Sequence, residues 1–586
     1  MDSTFEADTL LAVDVGSVHT RASLFDVVEG RYRLVATGRS PSTAGPPLFD
    51  VREGVRISLD QVQAVTGRRL VDESETLIMP VTTDGSGVDA FVATTSAGPK
   101  VRTILVGLMP QVSMESGRRL ASSTYLEVVE EIGLMDRRRD EEKIDVILRA
   151  RPDLMVVVGG TDGGAASSVL EMVDLVQVAV GLFPEGEQPQ VVYAGNRNLA
   201  APVAERFGDG TQITLTPNVR PVLEQEELGP ARLRLAELIA EARAARVAGF
   251  DELLQWSGGS LVPTADAFGR VVRYLSRVYD PRKGVLGLDL GGSHTTVAAA
   301  FAGDLRLTVR SDLGMGTSLP DLLKFTTPED IQRWMPEQMS VNYILDYMHD
   351  KALHPATVPT ELPELLLEYA LAREILRQAV SQARASWPNR RSGSASRLLP
   401  PMEPLLASGG ILSRSPHPGY VALTLLDALE PVGITTLVLD PHGLVPALGA
   451  AATTLPIATV QVISSGNFAN LGTVVAPVGQ GRPGRPCLHV RLDPEGGEPI
   501  EGEVRYGQLV LLPLAHGRSA RLTLRPERAF DVGFGGAGRA GAQKVVGGAL
   551  GLIIDARGRP LPIPTDPETR IEVNRKWLWD IGVRED

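Results

Sequence analysis

The feature that most constrains this chain is a short sequence that occurs twice, at residues 10–25 and again at 285–301. Each copy reads as an apolar strand, an aspartate at its end, a tight turn of Gly, Ser and Thr, and a second apolar strand. A single hairpin of this kind arises by chance, but a duplicated one indicates two related halves. The aligned pairs are Asp14 with Asp289, Gly16 with Gly291, His19 with His294 and Thr20 with Thr295.

The chemistry of these turns suits a phosphate group. A Gly-rich turn leaves backbone N–H groups free and lets a phosphate approach without obstruction by a Cβ atom. An aspartate beside it can hold a metal-bound water. Two such turns facing each other would bind one nucleoside polyphosphate, so we expect ATP and Mg²⁺, with Asp14 and Asp289 as metal residues and Asp14 also catalytic. The residues expected to bind the nucleotide at the two turns are Gly16, Ser17, Thr20, Arg21, Asp289, Gly291, Gly292, Ser293 and Thr295.

Two further glycine-rich segments follow predicted strands. Ser408, Gly409 and Gly410 come after a strand of the second half. The duplicated turns resemble those of the actin-like ATPase superfamily, and that resemblance implies that the glycines at this place pack against an adenosine. Residues 159–164, which include Gly160, Thr161 and Asp162, would occupy the equivalent position in the first half and face the same cleft. Gly160 and Thr161 would then bind nucleotide. Asp162 would either orient or deprotonate an attacking water or cap the helix that follows, and the sequence leaves both roles open.

Composition sets outer bounds on the function. A length of 586 residues predicts three or four domains. The net charge of −13 argues against non-specific binding to nucleic acid or to an anionic membrane. The single cysteine, Cys487, excludes an internal disulfide and a multi-thiolate metal site. The acidic N-terminal segment lacks a basic and then apolar signal, which predicts a cytoplasmic protein.

One stretch requires a test for a membrane span. Residues 441–481 contain no Asp, Glu, Lys or Arg. The stretch is nevertheless interrupted by Gly, Pro and Asn and is rich in Ala and Thr, so we expect a buried helix followed by a buried strand.

The chain divides into three predicted parts. Strands alternate with helices over residues 1–283 (lobe I) and 284–463 (lobe II), which predicts an α/β fold with mostly parallel sheets. A small apolar helix at Pro446–Thr454 is expected to pack against the other lobe. Over residues 464–586, short strands separated by Gly- and Pro-rich turns predict a C-terminal all-β module.

Taken together, these motifs resemble the glutamate mutase L (MutL) family of the actin-like ATPase superfamily, which is unrelated to the mismatch-repair protein of the same name. The resemblance implies two actin-like (ribonuclease H-like) lobes around a nucleotide cleft. It also implies a slow ATPase that acts as a reactivating factor or chaperone for an adenosylcobalamin-dependent mutase such as glutamate mutase. The matching stretches are residues 14–17, 96–98, 101–110, 159–164, 193–196, 218–221, 289–292 and 312–315.

Two departures from the family pattern leave the function open. Thr296 stands where the family usually has an aspartate, and the β-rich segment after residue 464 extends beyond the minimal family. That segment either merely caps lobe II or docks a protein client through Gly533–Gly541 and an edge strand at Leu550–Ile554. A non-catalytic actin-like scaffold that forms filaments or recruits partners is the alternative. The tail from Arg570 lacks the basic apolar helix face typical of membrane-attached scaffolds.

Overall fold

Each half of the chain builds one sheet with the same strand order. The computed structural model describes residues 7–208, 213–388 and 398–583, and its strands and α-helices are numbered in chain order. The lobe I strands are β1 (Thr9–Val15), β2 (His19–Val28), β3 (Arg31–Pro41), β4 (Ala90–Thr95) and β10 (Leu261–Pro263). β1, β2 and β3 form an antiparallel meander, whereas β4 runs parallel to β1 and β10 runs parallel to β4.

Lobe II repeats this arrangement and extends it. Its strands are β11 (Gly284–Leu290), β12 (Thr295–Phe301), β13 (Asp304–Arg310), β14 (Met402–Ser408), β15 (Gly433–Leu439), β16 (Ala469–Ala476), β20 (Leu509–Leu512) and β24 (Leu552–Asp555). β11, β12 and β13 form the meander, β14 pairs in parallel with β11, and β15 pairs in parallel with β14. The duplicated topology confirms the predicted two-lobed α/β fold.

Two equivalent helices join the lobes. α8 (Thr264–Val278) follows β10, and α14 (Leu444–Ala451) follows β15. They approach so closely that a methyl group built on Gly449 would lie 1.8 Å from the carbonyl oxygen of Ala267. The predicted helix at Pro446–Thr454 therefore exists and packs against the other lobe, as expected. The close contact between these helices links the two lobes.

A separate sheet is inserted between β4 and β10. Its strands are β5 (Val101–Gly107), β6 (Leu126–Gly133), β7 (Leu154–Val158), β8 (Gln190–Tyr193) and β9 (Ile213–Leu215). All five are parallel, in the order β6-β5-β7-β8-β9. Every residue of β7 is buried, as expected for a strand covered on both faces. Sequence analysis assigned this insert to the lobe I sheet because both show the same alternation of strands and helices.

The predicted boundary at residue 464 does not coincide with a break in the structure. β16, β20 and β24 complete the lobe II sheet, and β24 lies between the other two. The separate all-β part is a four-stranded antiparallel sheet in the order β19-β18-β21-β23, built from β18 (Pro486–Pro494), β19 (Ile500–Arg505), β21 (Ser519–Pro526) and β23 (Gly541–Val546). Two short strands, β17 (Val478–Gly479) and β22 (Phe530–Asp531), pair beside it. The chain after residue 464 is thus partly lobe II and partly an added sheet.

The helices cover the faces of these sheets. In the insert they are α2 (Ser113–Ala121), α3 (Asp140–Ala150), α4 (Ser167–Gly181) and α5 (Ala200–Phe207). Elsewhere they are α1 (Val51–Thr66), α6 (Gly229–Ala244), α7 (Phe250–Trp256), α9 (Pro328–Gln332), α10 (Val341–Leu353), α11 (Leu362–Ala383), α12 (Gly410–Ser413), α13 (Pro418–Leu429), α15 (Pro456–Ile463) and α16 (Pro567–Asp580).

The charge-free stretch at 441–481 forms α14, α15 and β16, a buried helix and a buried strand as predicted. Within the three described ranges, no helix has the length and apolar character needed to cross a lipid bilayer. The acidic N-terminal segment, from which a cytoplasmic location was predicted, includes residues 1–6, which lie outside the described ranges.

A buried network of charges ties the C-terminal segment to lobe II. The fully buried guanidinium of Arg557 donates to Asp427 on α13 and to Asp555 on β24, at 2.8 Å each. Arg373 on α11 donates to Asp427, and Arg559 donates to Asp555. Because each carboxylate has two guanidinium partners, the network satisfies charges that burial would otherwise make costly.

Candidate functional site

The two aspartate-containing turns have the same local geometry. In the first, the backbone N–H of Gly16 donates to the carbonyl of His19, and in the second that of Gly291 donates to His294, at 2.9 Å in each case. Strand pairing places Asp14 opposite Arg21, and it places Asp289 opposite Thr296. The duplication in the sequence is therefore a duplication in structure, with an arginine in the first turn where the second has a threonine.

The turns meet at the floor of one cleft. A methyl group built on Gly292 would lie 2.2 Å from Cγ2 of Val18, so only glycine allows this approach between the lobes. The prediction that the turns face each other across one cleft is confirmed. The cleft has a volume of about 340 Å³, and the predicted residues that line it are Asp14, Gly16, Ser17, Arg21, Asp289, Gly291, Gly292, Gly409 and Gly410.

Asp14 is held in place by two hydroxyl groups. Oγ1 of Thr94 donates to its Oδ1 at 2.7 Å, and Oγ1 of Thr264 donates to the same oxygen at 2.9 Å. Thr264 begins α8 and was not singled out from the sequence, because a lone threonine after a short strand carries no distinctive pattern. Since both donors use Oδ1, the second oxygen of the carboxylate is left for a ligand in the cleft.

The surroundings of Asp289 disfavour a negative charge on its carboxylate. Burial raises its pKa to about 7; Arg21 acts against this shift, whereas Asp14 and Asp440 add to it. A cation between the two aspartates would stabilise the ionised form. Two carboxylates match the way Mg²⁺ is held, through few protein ligands together with waters and phosphate oxygens. The described residues contain no group of three or more acidic, His or Cys side chains that could hold a metal ion.

Arg21 reaches from lobe I to the start of α14 in lobe II. A methyl group built on Gly443 would lie 2.2 Å from Nη1 of Arg21. Beside it, Asp440 accepts the backbone N–H groups of Leu444 and Val445 at 2.9 Å each and so caps α14. Burial raises the pKa of Asp440. Arg21 is therefore positioned at the junction of the lobes as well as at the phosphate turn.

The wider end of the cleft lies in lobe II. Gly409, at a φ of +106°, passes so close to β11 that a methyl group there would lie 2.2 Å from the carbonyl of Leu290. Opposite it, Lys351 on α10 forms an ion pair of 2.6 Å with Glu368 on α11 and donates to the carbonyl of Thr357 at 2.5 Å. Sequence analysis missed this pair. Its only signal was a charged residue, Glu368, within the apolar run of α11.

Four of the predicted binding residues lie behind the cleft instead of lining it. Two of these side chains brace the second turn: Oγ1 of Thr295 donates to the carbonyl of Leu313 at 2.9 Å, and the hydroxyl of Ser293 pairs with that of Thr317 at 2.6 Å. Strand alternation turns Thr20 away from Arg21 and into the core. The four residues are Thr20, Ser293, Thr295 and Ser408, each no more than 9% exposed.

The loop at residues 159–164 lies in a different place from the one predicted. It follows β7 at the edge of the inserted sheet, and Gly160, Thr161 and Asp162 contribute nothing to the lining of the cleft. Asp162 accepts hydrogen bonds of 2.9 Å from the backbone of Arg197 and from Asn218. It does not cap α4 either, since that helix has Ala166 at its N-cap. The prediction of a shared cleft failed because the position in lobe I that is equivalent to Gly409 follows β4, where Ser96 lines the cleft.

The two histidines of the turns are uncharged near neutral pH. Burial, reinforced by Arg414, Arg21 and Lys351, lowers the pKa of His19 to about 4. Burial, together with Arg243 and Lys100, lowers that of His294 to about 3. His294 also packs edge-on against Tyr125, with ring centroids 4.9 Å apart. Both rings are therefore neutral side chains within the turns, and His294 contributes to packing.

The family model described as "MutL protein" matches residues 10–466. No curated protein matches the chain with significance. Solved structures with some similarity include nucleotide-free acetone carboxylase, at 12% identity over 85% of this chain and 81% of that one, with a TM-score of 0.31. Diol dehydratase-reactivating factor in nucleotide-free form has 12% identity over 78% and 99%, with a TM-score of 0.29. A ROK family glucokinase from Streptomyces griseus has 11% identity over 76% and 98%, also with a TM-score of 0.29. These scores are too low to support an argument about function.

Proposed function

Because the chain belongs to the MutL protein family, we propose that it binds Mg-ATP between its lobes, hydrolyses it slowly, and uses the resulting lobe movement to reactivate an adenosylcobalamin-dependent mutase. The observation that carries the nucleotide part is the meeting of two aspartate-containing turns in one cleft that Arg21 also lines. The mutase part rests on the family, and glutamate mutase is the client that the family favours.

The proposed roles follow from the geometry. The N–H groups of Gly16 and Gly291 are used within the turns, so the backbone N–H groups next to them would bind the phosphate oxygens, and Asp14 and Asp289 would hold the metal through its waters. When bound, Mg²⁺ neutralises charge that develops on the phosphate oxygens. Asp14, oriented by Thr94 and Thr264, can position an attacking water through its remaining oxygen.

Slow turnover is expected from what the cleft lacks. The carboxylates that line it are Asp14, Asp289 and Glu368, and Glu368 is already paired with Lys351. Thr296, 3% exposed and opposite Asp289, supplies no further carboxylate. With both free aspartates assigned to the metal, no dedicated general base remains for the water, which favours a switch over a fast enzyme.

The added four-stranded sheet is the proposed docking site for the client. Its outer strands β19 and β23 each have a neighbour on one side only, which leaves two edges for a partner strand. The earlier expectation of an edge strand at Leu550–Ile554 is not met, because β24 is paired on both sides. A pull-down of an adenosylcobalamin-dependent mutase tests this part, with the natural chain and with a variant that lacks residues 486–505 and 519–546. This double deletion removes the added sheet and spares β20 of the lobe II sheet, and its new junctions join residues that are already hydrogen-bonded neighbours.

Calorimetric titration with ATP, with and without Mg²⁺, tests the nucleotide part. We expect one Mg-dependent site in the natural chain and a loss of affinity of about tenfold or more in Asp14→Asn, since the metal loses a charged ligand. Asp8→Asn is the matched control, because Asp8 is exposed and lies outside the cleft. Absence of binding, or equal affinity in Asp14→Asn, would contradict the proposal.

A further inference from the structure

Three arginines line the cleft, and two of them have no counter-charge. They are Arg21, Arg39 and Arg414. Within the described part of the chain, neither Arg39 nor Arg414 forms an ion pair, and Nε of Arg39 is buried without a hydrogen-bond partner. The remaining cation of the cleft, Lys351, is neutralised by Glu368. Even with Asp14, Asp289 and Glu368 all ionised, the four cations of this lining leave an excess of one positive charge.

The lobe I arginines are placed against each other. Arg21 on β2 and Arg39 on β3 are directly opposite in the strand register, so their side chains share one face of the sheet. Like charges in that position are destabilising. An acidic or an uncharged residue at either position would remove this repulsion. The pair of arginines therefore lowers the stability of the fold when no ligand is bound.

Arg414 approaches the same region from lobe II, shortly after α12. Burial and the nearby charge of Arg21 lower its pKa, and no carboxylate acts in the opposite direction. Arg414 and Arg21 also act together on His19, which lies in the first turn. The three guanidinium groups thus converge on the phosphate end of the cleft from both lobes.

We propose that Arg39 and Arg414 are specificity residues that respond to the charge of the phosphate chain and make the cleft prefer a nucleoside triphosphate over a diphosphate. This inference rests on the proposed nucleotide function. Guanidinium groups form strong charge-assisted hydrogen bonds with phosphate oxygens. An anion held between Arg39 of lobe I and Arg414 of lobe II also links the two lobes. Loss of one phosphate would weaken that link and let the cleft open.

The test compares ligands that differ in phosphate charge. Mg-ATP, Mg-ADP and adenosine are titrated into the natural chain, Arg39→Gln and Arg414→Gln, with Arg31→Gln as the control because Arg31 is exposed on the same strand. Each cleft variant should lose about tenfold in ATP affinity, less in ADP affinity and nothing in adenosine affinity, so that the preference for ATP shrinks. Inorganic tripolyphosphate should compete with ATP in the natural chain and more weakly in both variants.

Stability without ligand provides a second readout. Removing an unpaired cation should leave the melting temperature of the free protein unchanged or raise it, whereas a structural arginine would lower it. Equal losses for ATP, ADP and adenosine, an unchanged ATP preference, or a lower melting temperature of the free variants would overturn the inference. If the natural chain binds no nucleotide at all, the proposed function fails first, and that result is distinguishable because it needs no variant.

Discussion

Replacing Arg557 with alanine is expected to destabilise lobe II strongly. The guanidinium group is fully buried, donates to Asp427 and Asp555, and lies 4.6 Å above the ring of Trp577 on α16. Removing one member of a buried ionic network typically costs about 3–5 kcal/mol, because it leaves buried charge uncompensated. Arg373 and Arg559 still pair with the two aspartates, so we expect the lower end, about 3 kcal/mol.

Urea denaturation followed by circular dichroism measures this loss. Arg282→Ala is the control, since its side chain is 87% exposed and its pair with Asp280 contributes little. Burial alone would raise the pKa of Asp555, but Arg557 and Arg559 outweigh it and lower the pKa. The stability from Asp555 is therefore present above the ordinary carboxyl range and is lost as the pH falls through it, less steeply in the variant. A loss below about 1 kcal/mol would refute the view that the C-terminal segment is an integral part of lobe II.

Three further outcomes are expected. Asp162→Ala should leave ATP turnover unchanged and reduce the free energy of unfolding by about 1–2 kcal/mol, since it removes two hydrogen bonds within the insert. A slower turnover in a correctly folded variant would show that Asp162 takes part in hydrolysis. Because the pKa of Asp289 is raised to about 7, the ligand-free protein should lose stability as the pH rises towards and through 7. Asp289→Asn should abolish this dependence of stability on pH. If the melting temperatures of the natural chain and the variant change with pH in the same way, the expectation is wrong. Deleting residues 464–586 should unfold lobe II by removing β16, β20 and β24, whereas deleting 486–505 and 519–546, which spares those three strands, should preserve ATP binding. A folded, ATP-binding 464–586 deletion, seen by circular dichroism and calorimetry, would argue otherwise.

The duplicated turn could be predicted from the sequence because local backbone chemistry determines it. Each copy has an aspartate near the end of an apolar strand and a glycine two residues later, and both copies form the same hairpin, so the positions of Asp14 and Asp289 followed directly. The cleft between them also followed, since two equivalent halves bury equivalent apolar faces. Gly409 and Gly410 could be placed for the same reason, as the second half repeats the first.

What sequence analysis missed depends on contacts between distant segments. The inserted sheet has the same alternating pattern as the lobes, so nothing local distinguishes residues 159–164 from a cleft loop. Lys351, Glu368, Arg39 and Arg414 come from different elements and meet only in the folded chain. The run of short strands after residue 464 was assigned to one module because strand pairing partners cannot be read from alternation alone.

The most direct test of the central claim is an experimental structure of the chain with Mg²⁺ and a non-hydrolysable ATP analogue. The account predicts the phosphate chain between the turns at Gly16 and Gly291, with the metal within reach of Asp14 and Asp289 and the nucleoside beside Gly409. A nucleotide bound at the edge of the inserted sheet, next to residues 159–164, or on one lobe without contact to the other, would contradict it.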